Sequence, residues 1–190
     1  MKFRLSTIVV LIAGVVAAGA CSDPFAATAS LANVVDTLKV YSLSGTPTIL
    51  PAALNVSTGQ VVRVDGDFVY DIVFDIDSAG RAVLYPVALI GGPFAASRTV
   101  GMQKFTGTFD AFAKAPTGGY VYDSSFVVGP GEGIAVQIAN ATICQFQFSS
   151  VMYGKMVVDS IVPAERAIYF RSLVGTNCGF RTLTPGTPKN

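Results

Sequence analysis

Residues 68–90 read Phe68-Val-Tyr-Asp-Ile-Val-Phe-Asp-Ile-Asp77, then Ser78-Ala-Gly-Arg81, then Ala82-Val-Leu-Tyr-Pro-Val-Ala-Leu-Ile90. Phe68, Tyr70, Ile72, Phe74 and Ile76 share one parity, and Val69, Asp71, Val73, Asp75 and Asp77 share the other. Side chains alternate faces along a strand, so this segment predicts a strand with one apolar wall and one partly acidic wall. Asp77-Ser78-Ala79-Gly80 supplies turn formers, with Gly80 where a tight connection wants positive φ. The returning strand is read over Ala82 to Ile90, and Pro86 within it points to a sheet edge or a bulge. An antiparallel hairpin with one buried face is a building unit of sandwiches and barrels.

The same pattern recurs along the chain. Val34 to Leu43 suits a strand; Ile49 to Val56 is a poorer one; Gln60 to Val64 is a third. Phe94 to Gly101 reads as irregular, with room for a helical turn. Gln103 to Ala113 alternates, with Phe105, Gly107, Phe109 and Ala111 on one side, and Tyr120 to Val128 returns with Tyr120, Tyr122 and Phe126 together. Ile134, Val136 and Ile138 follow, and Cys144, Phe146 and Phe148 continue the alternation. Lys155 to Ile161 and Ala167 to Leu173 form a hairpin through Pro163-Ala-Glu-Arg166. About ten or eleven short strands, no amphipathic helix and no internal repeat predict an all-β chain. The fold reading is a single antiparallel β-sandwich, jelly-roll-like or Greek key, with a closed β-barrel as the alternative.

Composition agrees. The 190 residues are rich in Phe, Tyr, Val, Ile and Thr, with Gly and Pro at short intervals. A domain of this size buries roughly 70% of its unfolded surface and needs no metal to hold it together. Net charge is +1; leaving out Lys2 and Arg4 gives 11 basic against 12 acidic residues. A neutral chain without basic runs has no electrostatic footprint for nucleic acid.

The amino terminus carries an address. Lys2 and Arg4 precede an apolar run from Leu5 to Val16, broken only by Ser6 and Thr7, and Ala17-Ala-Gly-Ala20 leads to Cys21. This is the layout of a secretory signal, with an apolar run too short for a comfortable transmembrane helix. Ala18-Gly19-Ala20-Cys21 resembles the lipobox of bacterial lipoproteins, although the family more often has Leu where Ala18 stands. That resemblance implies that residues 1–20 are removed and that Cys21 becomes the first residue, acylated on its sulfur and, in many Gram-negative bacteria, on its amine. It also implies the outer membrane as destination, because Ser22 stands where inner-membrane retention has Asp. Residues 21–33 then read as a lipidated tether, 34–184 as the sandwich domain and 185–190 as a frayed tail.

With Cys21 assigned to lipid, Cys144 and Cys178 form an even pair in an exported chain, and a structural disulfide is the reading. A reactive thiol pair would want Cys-x-x-Cys spacing or a histidine, and the chain has neither. The lack of histidine removes Ser-His-Asp and Cys-His catalysis and the commonest zinc sites. There is no Gly-x-Ser-x-Gly, Ser-x-x-Lys, Asp-Thr-Gly or phosphate-loop motif, and Gly129 to Gly133 reads as a plain turn. No cofactor is implied.

Among the acids, Asp65, Asp67, Asp71, Asp75 and Asp77 are the suggestive group. Asp75 and Asp77 start like a calcium loop, but Ala79 offers no side-chain oxygen at the fifth position and Pro86 stands where a Glu would close it. Solvated surface acids are the competing reading. Glu132 and Glu165 lie in loops and keep open a carboxylate-pair enzyme acting on glycans. Tyr120 and Tyr122, and Val83, Tyr85 and Val87, share faces that either pack a core or stack on a partner. The functional expectation is a lipid-anchored, non-catalytic structural or binding module of the cell envelope, with an envelope protein or a glycan as partner. A carboxylate-dependent enzyme on a jelly-roll-like scaffold is the alternative.

Overall fold

A computed structural model describes residues 27–65, 67–92, 95–139, 142–147 and 149–188. The proposed leader, residues 1–20, and the proposed lipidation site Cys21 lie outside the described residues, as does Phe148. The ten strands found among the described residues are β1 (Val35–Tyr41), β2 (Ala53–Asn55), β3 (Gln60–Val62), β4 (Ile72–Ile76), β5 (Ala82–Pro86), β6 (Thr99–Phe105), β7 (Phe126–Val128), β8 (Gly133–Ala139), β9 (Val151–Val162) and β10 (Ala167–Gly175). They form two separate five-stranded sheets, ordered β1-β10-β9-β8-β6 and β3-β2-β4-β5-β7, and every pairing is antiparallel. The chain is a β-sandwich, and the closed-barrel alternative falls.

The hairpin read at residues 68–90 is β4 and β5. Ile72, Phe74 and Ile76 pair with Pro86, Leu84 and Ala82, and all of these apolar side chains except that of Pro86 belong to the main core. That core gathers Leu54 and Val128 from the same sheet and Val40, Met102, Ile134, Val136, Met156, Ile168 and Phe170 from the facing one. Gly80 has φ +76, which closes the Asp77–Gly80 turn.

Two details of this region differ from the sequence reading, while the sheet edge read at Pro86 is found. The chain leaves the strand conformation at Pro86, and Val87–Ile90 forms one helical turn (α1), ended by Gly91 at φ +83. An apolar run without period does not distinguish strand from helix, and here Pro86 breaks the ladder. Pro86 also lies beyond the three residues of β5 that pair with β7, where no neighbouring strand needs its missing N–H. Finally, the second wall of β4 is not open to solvent, since Asp71 and Val73 are fully buried.

Between β6 and β7 the alternation over residues 103–113 and 120–128 does not make long strands. β6 ends at Phe105, and the next twenty residues pack as an excursion over the outer face of the first sheet. Phe109 and Ala115 bury there against Val157, Leu173 and Leu183. Tyr120 is buried, and Val121 makes a single bridge to Met102. Alternation marked burial here without marking a ladder: the excursion's carbonyls find another partner. Lys155, on β9 and only 1% exposed, donates its ammonium protons to the carbonyls of Phe109 and Phe112 and sits 4.1 Å from the centre of the Phe109 ring.

Cys144 and Cys178 are joined in a disulfide with Cα atoms 5.9 Å apart, and they pack with Met152 in a small satellite core. Residues 142–147 are a turn and not a strand, so Phe146 does not follow Cys144 into the interior; it is 92% exposed. The domain also extends past the limits read at 34 and 184. The amides of Ser30 and Leu31 donate to Asn177 Oδ1, Asn33 is buried, and Asn33 and Gly186 exchange backbone hydrogen bonds.

Candidate binding cleft

The segment after β1, Ser42-Leu-Ser-Gly-Thr-Pro-Thr-Ile-Leu-Pro51, carries two prolines that cannot donate to a ladder and so leaves the sheet. It is nevertheless fixed closely. The Asp75 carboxylate accepts from the Ser42 hydroxyl, from Ser44 N at 3.0 Å, from Ser44 Oγ at 2.8 Å and from Ile76 N at 2.8 Å. Burial works to raise the Asp75 pKa, but hydrogen bonds from Ser42, Ser44 and Ile76 outweigh it and hold the group below its ordinary 3.8. From the other sheet, Arg166 reaches over to donate to Ser44 O at 2.8 Å, Ile76 O at 3.0 Å and Ser42 Oγ at 3.1 Å. Its backbone sits at φ 48, the left-handed residue of the β9–β10 turn. Gly45, at φ +75, passes so close to this guanidinium that a Cβ would lie 2.8 Å from Arg166 Nε.

This brace supports a cleft of about 160 Å³ at the end of the sandwich, with Leu43, Pro47, Leu50, Ala52 and Val64 as its apolar walls and Thr46, Thr48 and Asp65 as its polar lining. Ile49 stands beside it, 70% exposed, and Leu43 is partly open. Asp65 is held at 2.9 Å by Arg63, whose guanidinium lies 5.1 Å from the Phe68 ring centre. The volume is below the roughly 300–1,000 Å³ of a small-molecule pocket. It suits one apolar side chain of a larger partner, in the manner of an interface anchor.

The acids singled out in the sequence do not converge. Asp71 is fully buried and forked by Arg98, with Nε–Oδ1 at 2.6 Å and Nη2–Oδ2 at 2.9 Å, while Val56 N donates to it at 2.7 Å. Asp75 belongs to the brace. Asp77 caps its own turn through Ala79 N and Arg81 N, both at 2.9 Å, and pairs with the Arg81 side chain. Asp67 is exposed. Among the described residues, no three acidic or cysteine side chains gather as a metal-ligand set. Glu132 and Glu165 are each held by a separate lysine: Lys104 lies 2.7 Å from Glu132, lowering its pKa below 4.5, and Lys39 lies 2.6 Å from Glu165. Glu132 also takes the Gly129 amide at 2.7 Å, which makes that glycine-rich stretch a self-closed turn. Of the tyrosines, Tyr120 is buried, whereas Tyr122 is partly open and bonded to Gln137.

Ser42, Ser44, Arg98, Lys155 and Arg166 are the organising polar residues that the sequence reading passed over. Their partners lie 27 to 124 positions away, so no local spacing announces them. No protein-family model matches the chain, and no curated protein or solved structure similar to it was found.

Proposed function

We propose that this protein is an exported, lipid-anchored module of the bacterial cell envelope that binds another protein non-catalytically through the cleft at Leu43–Asp65. The supporting observation is the braced apolar cleft itself. Its loop is pre-organised by the Asp75 and Arg166 hydrogen bonds, and it offers Leu43 and Ile49 to a partner. A loop already fixed in place loses little entropy on binding. The carboxylates that an enzyme would need are instead committed to neighbouring cations, which favours the binder over a glycan-cleaving enzyme. The anchor is the acylated Cys21 implied by the lipobox resemblance, with the outer membrane as the site.

Two measurements test this reading. Cys21→Ala moves the protein from the membrane to the soluble fraction of the producing bacterium; retention of the variant in the membrane refutes the anchor. A photo-cross-linker placed at Ile49 captures a discrete envelope protein in intact cells, and Leu43→Asp abolishes the capture. A cross-linker at Leu89, 45% exposed and outside the cleft, serves as control. Equal capture from both positions would remove the cleft from the argument.

A further inference from the structure

At the opposite end of β1 the molecule shows an apolar feature that the cleft does not explain. Phe146 projects from the disulfide-closed turn with 92% of its surface exposed, and Ile143, beside Cys144, is 40% exposed. Leu31, 52% exposed, lines the same recess as Phe146, together with Ala27. The recess encloses about 390 Å³, and none of its nine lining residues carries a charge.

These side chains are held outward by a fixed backbone. The disulfide closes the turn, Gln147 N donates to Cys144 O at 2.9 Å, and Cys178 N donates to Gln147 Oε1 at 2.7 Å. Asn177, next in sequence to Cys178 and 3% exposed, accepts from Ser30 N and Leu31 N and donates to Leu31 O at 2.8 Å. One set of bonds therefore fixes both the Phe146 turn and the direction from which the amino-terminal chain arrives.

We infer that Leu31, Ile143 and Phe146 form a membrane-contacting tip that enters the headgroup layer of the lipid surface to which the protein's own anchor is attached. The inference rests on the proposed acylation of Cys21. From Cys21 to Ala27 the chain is six residues long and reaches roughly 20 Å when fully extended. The recess lined by Ala27 and Phe146 is thereby confined to the vicinity of the lipid. An uncharged recess carrying exposed Phe146 and Leu31, with Ile143 exposed on the same turn as Phe146, matches the interfacial region, where such groups leave water without desolvating a charge. A tip of this kind also orients the domain. It directs the sandwich axis away from the lipid, so that the cleft at Leu43–Asp65, beyond the other end of β1, faces outward.

The chain has no tryptophan, so Phe146→Trp installs a single fluorescent reporter at a site too exposed for the exchange to disturb the fold. The full-length variant, produced in a bacterium that processes lipoproteins, is reconstituted into phosphatidylethanolamine–phosphatidylglycerol vesicles containing brominated phosphatidylcholine. Ile49→Trp is prepared in the same way as the far-end control. The expected result is blue-shifted emission from position 146, quenched at least twofold more by brominated lipid than emission from position 49. If the protein carries the acyl mass and floats with the vesicles but the reporter at position 146 emits like the one at position 49, the tip is wrong and the anchor stands. Emission that is blue-shifted yet insensitive to bromine places position 146 against protein, a second copy included, and also overturns the inference. Absence of the acyl mass overturns both the anchor and the tip.

Discussion

Replacing Lys155 by Met tests whether the excursion after β6 is held down by one buried ammonium. Methionine keeps most of the apolar stem that packs beside Phe109 but removes the donor to the carbonyls of Phe109 and Phe112. An acceptor left buried without a partner costs about 1–3 kcal/mol. Relief from burying a charge offsets part of the cost of two such carbonyls, which leaves a net loss of about 2–3 kcal/mol. For a domain of this size each kcal/mol lowers Tm by about 2–4 °C, so a fall of about 4–12 °C is expected. Circular dichroism measures the melt, and amide hydrogen exchange over residues 106–116 shows where protection is lost. A wild-type melt together with unchanged exchange there would refute the strap.

The same lysine gives a signed pH test. Burial lowers its pKa below the ordinary 10.5, against a smaller opposing effect from Asp110. Between the folded pKa and 10.5 the unfolded chain binds more protons than the native one. Stability therefore rises with pH across that window, and the wild type gains on Lys155→Met as the solution is made more alkaline.

Three further outcomes are expected. Asp71→Asn leaves the Arg98 guanidinium, whose side chain is 4% exposed, without its counter-charge, and lowers stability by about 3–5 kcal/mol in urea unfolding. The double change Asp71→Leu, Arg98→Met recovers part of that loss, and a mild effect of the single variant would show that water reaches the pair. Reducing the Cys144–Cys178 bridge, which spans 34 positions, costs roughly 3–4 kcal/mol and lowers Tm; an unchanged melt would count against a structural role. Asp75, with its folded pKa below 3.8, contributes stability that is complete above 3.8 and is lost as pH falls through the folded value. Wild type and Asp75→Asn should therefore converge in acid, whereas parallel curves would mean that the carboxylate adds nothing as an anion.

The β4–β5 hairpin was legible because a two-residue period of large apolar side chains has one economical solution, and the Asp77–Gly80 turn fixes its register. The β9–β10 hairpin and the disulfide were legible for similar reasons, since a turn or a cysteine pair constrains its own neighbourhood. Where the reading failed, distant groups decided the outcome. Phe105 and Phe109 alternate like a strand, but Lys155, 46 residues from Phe109, satisfies that carbonyl and lets the segment lie on the sheet without joining it. Phe146 has strand-like spacing from Cys144, yet the bridge to Cys178 turns the backbone and points the ring outward. At the cleft, Ile49 to Val56 reads as a poor strand, yet β2 begins only at Ala53, and the loop before it takes its rigidity from Asp75 and Arg166, contributed by two other parts of the chain.

The register of β1 has a mechanical consequence. All seven of its residues pair antiparallel with β10, from Val35–Leu173 to Tyr41–Ala167, and the strand connects residues 27–34 to the cleft loop. A pull on residue 27 opposed by a grip on Leu43 acts along the strand, while its inter-strand hydrogen bonds lie across that direction. Such a force enters and leaves through the two ends of one strand, so the already extended backbone of β1 carries it and the ladder to β10 is spared. The domain is thus built to stay folded under tension along this line, and to yield far more readily if peeled from β1 sideways.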